Sequence, residues 1–352
     1  MSKEEMNSHP MKPSAGPDAD FVTEQAPPIS RLRVIACYGT IAATFPYLAL
    51  KLAWAAGSHI GVKCDAMENP TMVGANLATL GMDAAAATLA LALIRPWGRR
   101  IPAWLLVFPL WVATGFIGPI LIGAPLSGLV AAMTGTAGGE PRHDPADDIA
   151  GWVFGIVYTG FILQGIGLAI GFFLYARSRW APAFRLQLWD LPTGPKFAAQ
   201  KITIAGVAAF SLLPAGIHLY WAAGGTGLRP DLDQTWQVRL VVEGVFALLP
   251  LTGTVAMLIL AGSRDARPAR TTLAAAWLGT GALFSWGFWW MVCASLKVPL
   301  SEGKDMRGLG LVGGMMTLAG AVLASGLAQT VATALATRAQ TSRTEMATAE
   351  SS

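Results

Sequence analysis

The chain has little charge, few cysteines and no familiar catalytic motif. Only 13% of its 352 residues are Asp, Glu, Lys or Arg, whereas a soluble domain carries about 25%. Its three cysteines, Cys37, Cys64 and Cys293, form no CxxC, CxxCH or zinc-binding spacing. The sequence contains no P-loop, GxSxG elbow or dinucleotide loop, and no histidine pair suited to bis-His haem. No cofactor is therefore assigned. Because no basic run is interleaved with aromatics, nucleic acid is not expected as a partner.

Apolar residues dominate instead. The hydrophobic share is 53%, the mean hydropathy is +0.49, and there are 13 tryptophans and 39 glycines. Glycine lets transmembrane helices approach closely and tryptophan favours the membrane interface, so the composition predicts a multipass protein in a lipid bilayer. Residues 1–30 are polar and proline-rich without a central apolar run, which favours a disordered tail over a cleaved signal peptide. Residues 339–352 are predicted to be disordered as well.

Eight apolar stretches are long enough to cross ~30 Å of hydrocarbon at about 1.5 Å per residue. They run over residues 34–57, 72–94, 102–123, 150–176, 202–224, 238–261, 272–294 and 308–336. The predicted fold is therefore an all-α polytopic membrane protein with eight transmembrane helices. The apolar run continues from 102 to 133, with Pro119 and Pro125 as the places where it would break.

Lysine and arginine predict the orientation. With a cytoplasmic N-terminus, the inner segments carry 15 of these residues near the spans and the outer loops carry six. This asymmetry follows the positive-inside rule. Both termini are therefore expected on the cytoplasmic side of a bacterial plasma membrane.

The tetrapeptide Trp-Ala-Ala-Gly occurs twice, at Trp54–Gly57 and at Trp221–Gly224, with an offset of 167 residues. At the same offset Lys51 corresponds to His218 and Asn76 to Glu243. The pattern predicts two tandem four-helix repeats, residues 31–178 and 201–338, joined by a cytoplasmic linker at 179–200. An even number of spans per repeat gives both the same orientation, hence a pseudo-twofold axis along the membrane normal.

The second copy also carries a longer pattern, His-x-Tyr-Trp-Ala-x-Gly-Gly, which begins at His218 and includes Tyr220, Trp221 and Gly225. It resembles uncharacterised four-helix integral membrane proteins of actinobacteria. The first half departs from the pattern, since Lys51 stands for the histidine and Ala53 for the tyrosine. The resemblance supports the fold and the duplication, and it implies no activity.

Asp83 lies near the predicted centre of the bilayer, about 18 Å from the arginines that follow its span. A carboxylate there costs about 2.5–3.5 kcal/mol on insertion scales, so it needs protein or water and a partner. Lys51 lies about 9 Å higher, so a Lys51–Asp83 pair beside Asn76 is predicted. The alternatives are a purely structural ion pair, a protonated Asp83, or a lysine that extends to the lipid headgroups.

His218 and Glu243 form the corresponding predicted pair in the second copy. A His–Glu couple can pass protons near neutral pH, so His218, Glu243, Lys51 and Asp83 are the candidate catalytic or relay residues. The alternative is an interfacial histidine and a glutamate that reaches water beside Arg239. The residues chosen as candidates for substrate binding are Trp54, Trp221, Tyr220, Asn76, Gln164 and Trp286.

Three further features have structural alternatives. Trp286, Trp289 and Trp290 are typical of an interfacial aromatic girdle, with a cation-binding cage as the rival interpretation. The outer loop with His143, Asp144, Asp147 and Asp148 is interpreted as an acidic hydrated loop, with a divalent metal as the alternative. Cys64 and Cys293 both fall on the outer side, where a disulfide would need Cα atoms within about 7 Å.

Three functions remain open at this point. A carrier or exporter of a small polar metabolite is ranked first, because two bundles that face the same way can rock about a shared site. A membrane-embedded enzyme, such as a natural-product tailoring or rearrangement enzyme, is the second. An immunity or complex-assembly subunit with a protein partner in the membrane is the third.

Overall fold

The computed structural model describes residues 29–62, 70–135, 149–228, 235–296 and 305–350, and these ranges are almost entirely helical. The eight long helices are α1 (Arg31–Ala55), α2 (Pro70–Ile94), α3 (Ala103–Thr134), α4 (Gly151–Arg179), α6 (Ala198–Ala222), α7 (Trp236–Gly262), α8 (Arg270–Leu296) and α9 (Arg307–Glu350). A one-turn helix, α5 (Ala181–Phe184), follows α4. Within the described ranges, extended pairing is limited to two isolated antiparallel bridges, Val62 with Ile149 and Gln187 with Pro268.

Among the residues that the structure describes, six helices are long and apolar enough to cross a membrane, namely α1, α3, α4, α6, α7 and α9. The sequence predicts eight crossings, so α2 and α8 are the difference. In α2 only the part Thr79–Ile94 is strongly apolar. α8 is rich in tryptophan, glycine and serine, which lower its hydropathy although they are frequent in membrane helices.

The structure differs from two expectations, one about a break in α3 and one about the C-terminal tail. α3 is one continuous helix through Pro109, Pro119 and Pro125, because neighbouring groups inside a bundle can compensate for the backbone bonds that proline removes. α9 continues through the predicted disordered tail to Glu350, with an exposed surface over its last turns. Residues 339–350 contain Ala, Gln, Arg, Glu and Met, all of which favour helix.

The linker after α4 is folded rather than extended. Leu186, Leu188 and Leu191 are buried against the second half of the chain, and Leu186 O accepts a hydrogen bond from Ala269 N at 2.9 Å. Arg264 donates to Pro192 O at 3.0 Å, and burial lowers the pKa of its guanidinium below the usual value. The linker is thus fixed to the loop between α7 and α8.

The helices pack as two groups, called here the first half (α1–α4) and the second half (α6–α9). In the first half α1 packs on α2 and α4, and in the second half α6 packs on α7 and α9. α3 joins the two groups by packing on α7 and α8. Close helix approach depends on glycine here, since a Cβ added at Gly253 of α7 would lie 2.5 Å from Gly279 Cα of α8.

The two Trp-Ala-Ala-Gly segments end their helices in the same way. Gly57 has φ 83° and Gly224 has φ 105°, the left-handed conformation that glycine adopts most easily. Glycine therefore ends both helices. α1 and α6 are each 25 residues long, and their first residues, Arg31 and Ala198, differ by the same 167 positions.

Candidate functional site

The first candidate pair joins α1 to α2. Lys51 Nζ donates to Asp83 Oδ2 at 2.8 Å, and the two residues are 2% and 3% exposed. The ammonium also lies 3.8 Å from the centre of the Tyr47 ring, a favourable cation–π arrangement. The lysine therefore extends inward to the carboxylate rather than outward to the headgroups.

The second candidate pair joins α6 to α7. His218 Nδ1 lies 2.7 Å from Glu243 Oε2, and these residues are 1% and 5% exposed. The other ring nitrogen, His218 Nε2, is buried and has no hydrogen-bond partner among the described residues. This arrangement is that of an oriented imidazole, in which a carboxylate fixes one nitrogen and the second faces its surroundings.

Aromatic rings enclose the second pair. Trp221 meets His218 edge to face with centroids 5.0 Å apart, and Phe246 lies 5.6 Å from the imidazole. Phe246 in turn contacts Trp286 at 4.9 Å and Trp290 at 6.5 Å. Trp290 Nε1 is also buried without a hydrogen-bond partner among the described residues. The imidazole thus lies in an apolar, aromatic environment in which electrostatic interactions are strengthened.

The two tryptophans of the paired segments have the same hydrogen bond. Trp54 Nε1 donates to Ile60 O at 2.8 Å, and Trp221 Nε1 donates to Gly227 O at 2.7 Å. In each case the acceptor is the carbonyl six residues later, in the turn after the helix. Both indoles are buried, so they hold this turn against the helix that carries Lys51 or His218. That hydrogen bond gives the tryptophans a positioning role; a substrate contact stays a prediction.

The remaining predicted residues are distributed differently. Trp286 lies on the aromatic wall through Phe246 and donates its own N–H to Phe116 O at 3.1 Å. Tyr220 is 52% exposed and packs beneath Gly225, so the structure does not place it beside His218. This contrast follows from helix geometry, because Tyr220 is two residues beyond His218 and therefore on another face.

Asn76 and Gln164 lie on other helices. Asn76 is half-buried on α2, two turns before Asp83. Gln164 of α4 is 6% exposed, and its Nε2 has no hydrogen-bond partner among the described residues. Their assignment to substrate binding stays a prediction.

A reciprocal contact between α3 and α8 was not predicted from the sequence. Trp111 Nε1 donates to Trp277 O at 3.1 Å and to Thr280 Oγ1 at 3.3 Å, while Trp277 Nε1 donates to Thr114 Oγ1 at 2.9 Å. Each tryptophan thus reaches the threonine that follows the other. The signal was present as Trp-x-x-Thr-Gly, which occurs at 111–115 and again at 277–281. Such mutual contacts are typical of surfaces related by a twofold axis.

The described residues contain no group of three or more His, Cys, Asp or Glu placed to hold a metal ion. The acidic loop with His143, Asp144, Asp147 and Asp148 lies outside the described residues, as does Cys64. Cys293 is a buried free cysteine. No protein-family model, curated protein or solved structure matches the chain, so the site is interpreted from its own residues.

Proposed function

We propose that this chain is a multipass carrier of a small molecule, in which His218 and Glu243 bind the substrate or relay a proton that accompanies it. One observation carries the proposal: an ionisable pair is buried inside each half, and its basic residue, Lys51 or His218, lies one turn before the Trp-Ala-Ala-Gly segment. Ionisable groups among membrane-spanning helices are costly and are commonly part of a substrate or ion pathway. Because all four residues are at most 5% exposed, transport requires a movement that opens them.

The proposed architecture has eight crossings in two tandem four-helix repeats. α2 and α8 have 25 and 27 residues, about as many as α1 and enough for a bilayer at about 1.5 Å per residue. The equal lengths of α1 and α6, the paired turns and the reciprocal Trp111–Trp277 contact support a pseudo-twofold axis that passes between α3 and α8. If the chain is related to the four-helix actinobacterial proteins, the two repeats would have arisen by duplication of a four-helix ancestor.

The proposed orientation places both termini in the cytoplasm, on the strength of the arginine distribution. A test is labelling of single cysteines by a membrane-impermeant maleimide. His59→Cys, in the exposed turn after α1, is expected to react in intact cells, whereas Thr344→Cys on exposed α9 is expected to react only after lysis. The reverse pattern would overturn the orientation.

An enzyme is the second candidate, and the orphan Nε2 of His218 favours it. An imidazole oriented by a carboxylate is suited to general acid–base catalysis. The Lys51–Asp83 pair leaves no comparable nitrogen, so the second half would carry the chemistry. An enzyme would turn its substrate over in detergent without any gradient.

The test compares wild type with Glu243→Gln and with Glu345→Gln as a matched control on exposed α9. Thermal unfolding in detergent is measured in the presence of each member of a metabolite panel. The panel includes the substrates and products of enzymes encoded near the gene. A carrier predicts a ligand that stabilises wild type and Glu345→Gln but not Glu243→Gln, and that proteoliposomes accumulate unchanged. Conversion without accumulation would replace the carrier with the enzyme, and no ligand at all would favour an assembly subunit.

A further inference from the structure

We propose that the ligand of the second pair presents a carbonyl oxygen, held by two N–H donors, His218 Nε2 and Trp290 Nε1, against the Phe246 ring. This inference rests on the proposed small-molecule site and names the chemical class that the site would accept. Both nitrogens are buried and have no partner among the described residues. Leaving a buried donor without an acceptor costs about 1–3 kcal/mol, so two such nitrogens on rings that both pack on Phe246 call for an acceptor.

In the proposed complex, Nε2 of His218 is a hydrogen-bond donor. His218 Nδ1 and Glu243 Oε2, 2.7 Å apart, share one proton in their hydrogen bond. We assign the second proton to Nε2, as in the imidazolium–carboxylate form of the pair, where Nδ1 donates to Oε2 and Nε2 carries the other proton. A carboxyl proton on Oε2 that is donated to Nδ1 likewise leaves the imidazole proton on Nε2. An apolar environment favours the state without net charge, because an isolated buried charge is strongly penalised.

The indole supplies the second donor. Tryptophan Nε1 can only donate a hydrogen bond, and the ring of Trp290 packs on both Phe246 and Trp286. A carbonyl oxygen has two lone pairs and no proton, so it can accept from both nitrogens. A cation in the same position would face the positive ends of two N–H dipoles, which is unfavourable.

The surrounding rings indicate what the rest of the ligand resembles. Trp221, Phe246 and Trp286 form apolar walls beside the donors. Trp290 is half-buried, and its nitrogen is covered. The expected ligand is a compact apolar or aromatic molecule with a ketone, ester or amide group.

Acetophenone and ethylbenzene are the test probes, because they have similar shapes and differ in the carbonyl oxygen. Thermal unfolding at a series of probe concentrations gives apparent Kd values for wild type, Trp290→Phe and the adjacent control Trp289→Phe. Phenylalanine keeps an aromatic ring and removes the N–H. We expect acetophenone to bind wild type roughly tenfold more tightly than ethylbenzene, and Trp290→Phe alone to lose most of that preference.

Infrared spectra of carbonyl-labelled acetophenone supply a second readout. Two hydrogen bonds should move the bound carbonyl band to lower frequency, and Trp290→Phe should reverse part of that shift. Absence of probe binding, equal binding of the two probes, or equal behaviour of Trp290→Phe and Trp289→Phe would overturn the carbonyl assignment. The carrier proposal would survive each of these results if Glu243→Gln still abolished stabilisation by a panel metabolite.

Discussion

Replacing Lys51 with methionine is expected to destabilise the protein strongly, because it leaves Asp83 buried without its partner. The ammonium–carboxylate distance is 2.8 Å, and both side chains are almost fully enclosed. Removing one member of such a pair costs about 3–5 kcal/mol. Loss of the contact between Lys51 and the Tyr47 ring adds a smaller amount, about 0.5–2 kcal/mol.

The double variant Lys51→Met/Asp83→Leu should be far more stable than either single variant. Replacing a whole buried ion pair by apolar side chains of similar volume is often neutral or stabilising. The deficit that remains should be about that of the lost cation–π contact. We therefore expect a coupling energy of several kcal/mol between positions 51 and 83, well above the roughly 0.5 kcal/mol within which independent sites add.

Unfolding in mixed micelles of SDS and a mild detergent, followed by tryptophan fluorescence, gives the free energies for this cycle. The matched control is Arg267→Met, which breaks the exposed pair with Asp265 and should cost about 1 kcal/mol or less. Additive effects of the two single changes, or a Lys51→Met cost no larger than the control, would refute the buried pair.

Two further predictions concern the helix interfaces. Trp111→Phe and Trp277→Phe should each cost about 1 kcal/mol in the same unfolding assay, because each removes one side of the reciprocal hydrogen bonding. The control is Trp104→Phe at an exposed position. Destabilisation by only one of the two variants, or equal destabilisation by the control, would argue against the twofold contact. Gly253→Ala should cost roughly 1–3 kcal/mol, since its Cβ would meet the α8 backbone, whereas Gly262→Ala, whose Cβ meets nothing within 4 Å, should come within about 1 kcal/mol of wild type.

The sequence predicts the ion pairs well because helix geometry fixes depth. Counting at about 1.5 Å per residue from the arginine-rich ends places Lys51 above Asp83 and His218 near Glu243. A charge at that depth has few ways to be satisfied, so the partner follows from the small number of available groups. The same counting cannot say which helices are neighbours. The packing of α3 on α8 depends on the Trp-x-x-Thr-Gly segments. In the sequence these segments resemble any other apolar stretch, and their role is clear only once α3 and α8 are known to be neighbours.

Hydropathy identifies the class of protein, but it gives six candidate membrane spans among the described residues where the sequence pattern predicts eight. α8 has 27 residues, yet tryptophan, glycine and serine lower its score. Those residues are what the interface uses: Ser285 Oγ donates to Val112 O at 2.9 Å and Trp286 Nε1 donates to Phe116 O at 3.1 Å. A helix that contacts other helices on several sides needs donors and small residues more than aliphatic surface. α8, whose hydropathy is low, therefore packs on α3, α7 and α9.

The two ion pairs differ in depth, and side-chain length explains why both can form. Lys51 and His218 each lie three residues before a Trp-Ala-Ala-Gly segment, but their acids do not correspond. At the offset of 167 residues Glu243 aligns with Asn76, which lies seven residues before Asp83. Seven residues are close to two helical turns, so the carboxylate stays on the same face while moving about 10 Å along the axis. The long lysine stem reaches the deeper acid, whereas the short imidazole needs one near its own level. Asp83 and Tyr47 satisfy the lysine charge, whereas His218 Nε2 has no hydrogen-bond partner among the described residues. Divergence of the halves would thus leave a fixed ion pair in the first and a chemically available group in the second.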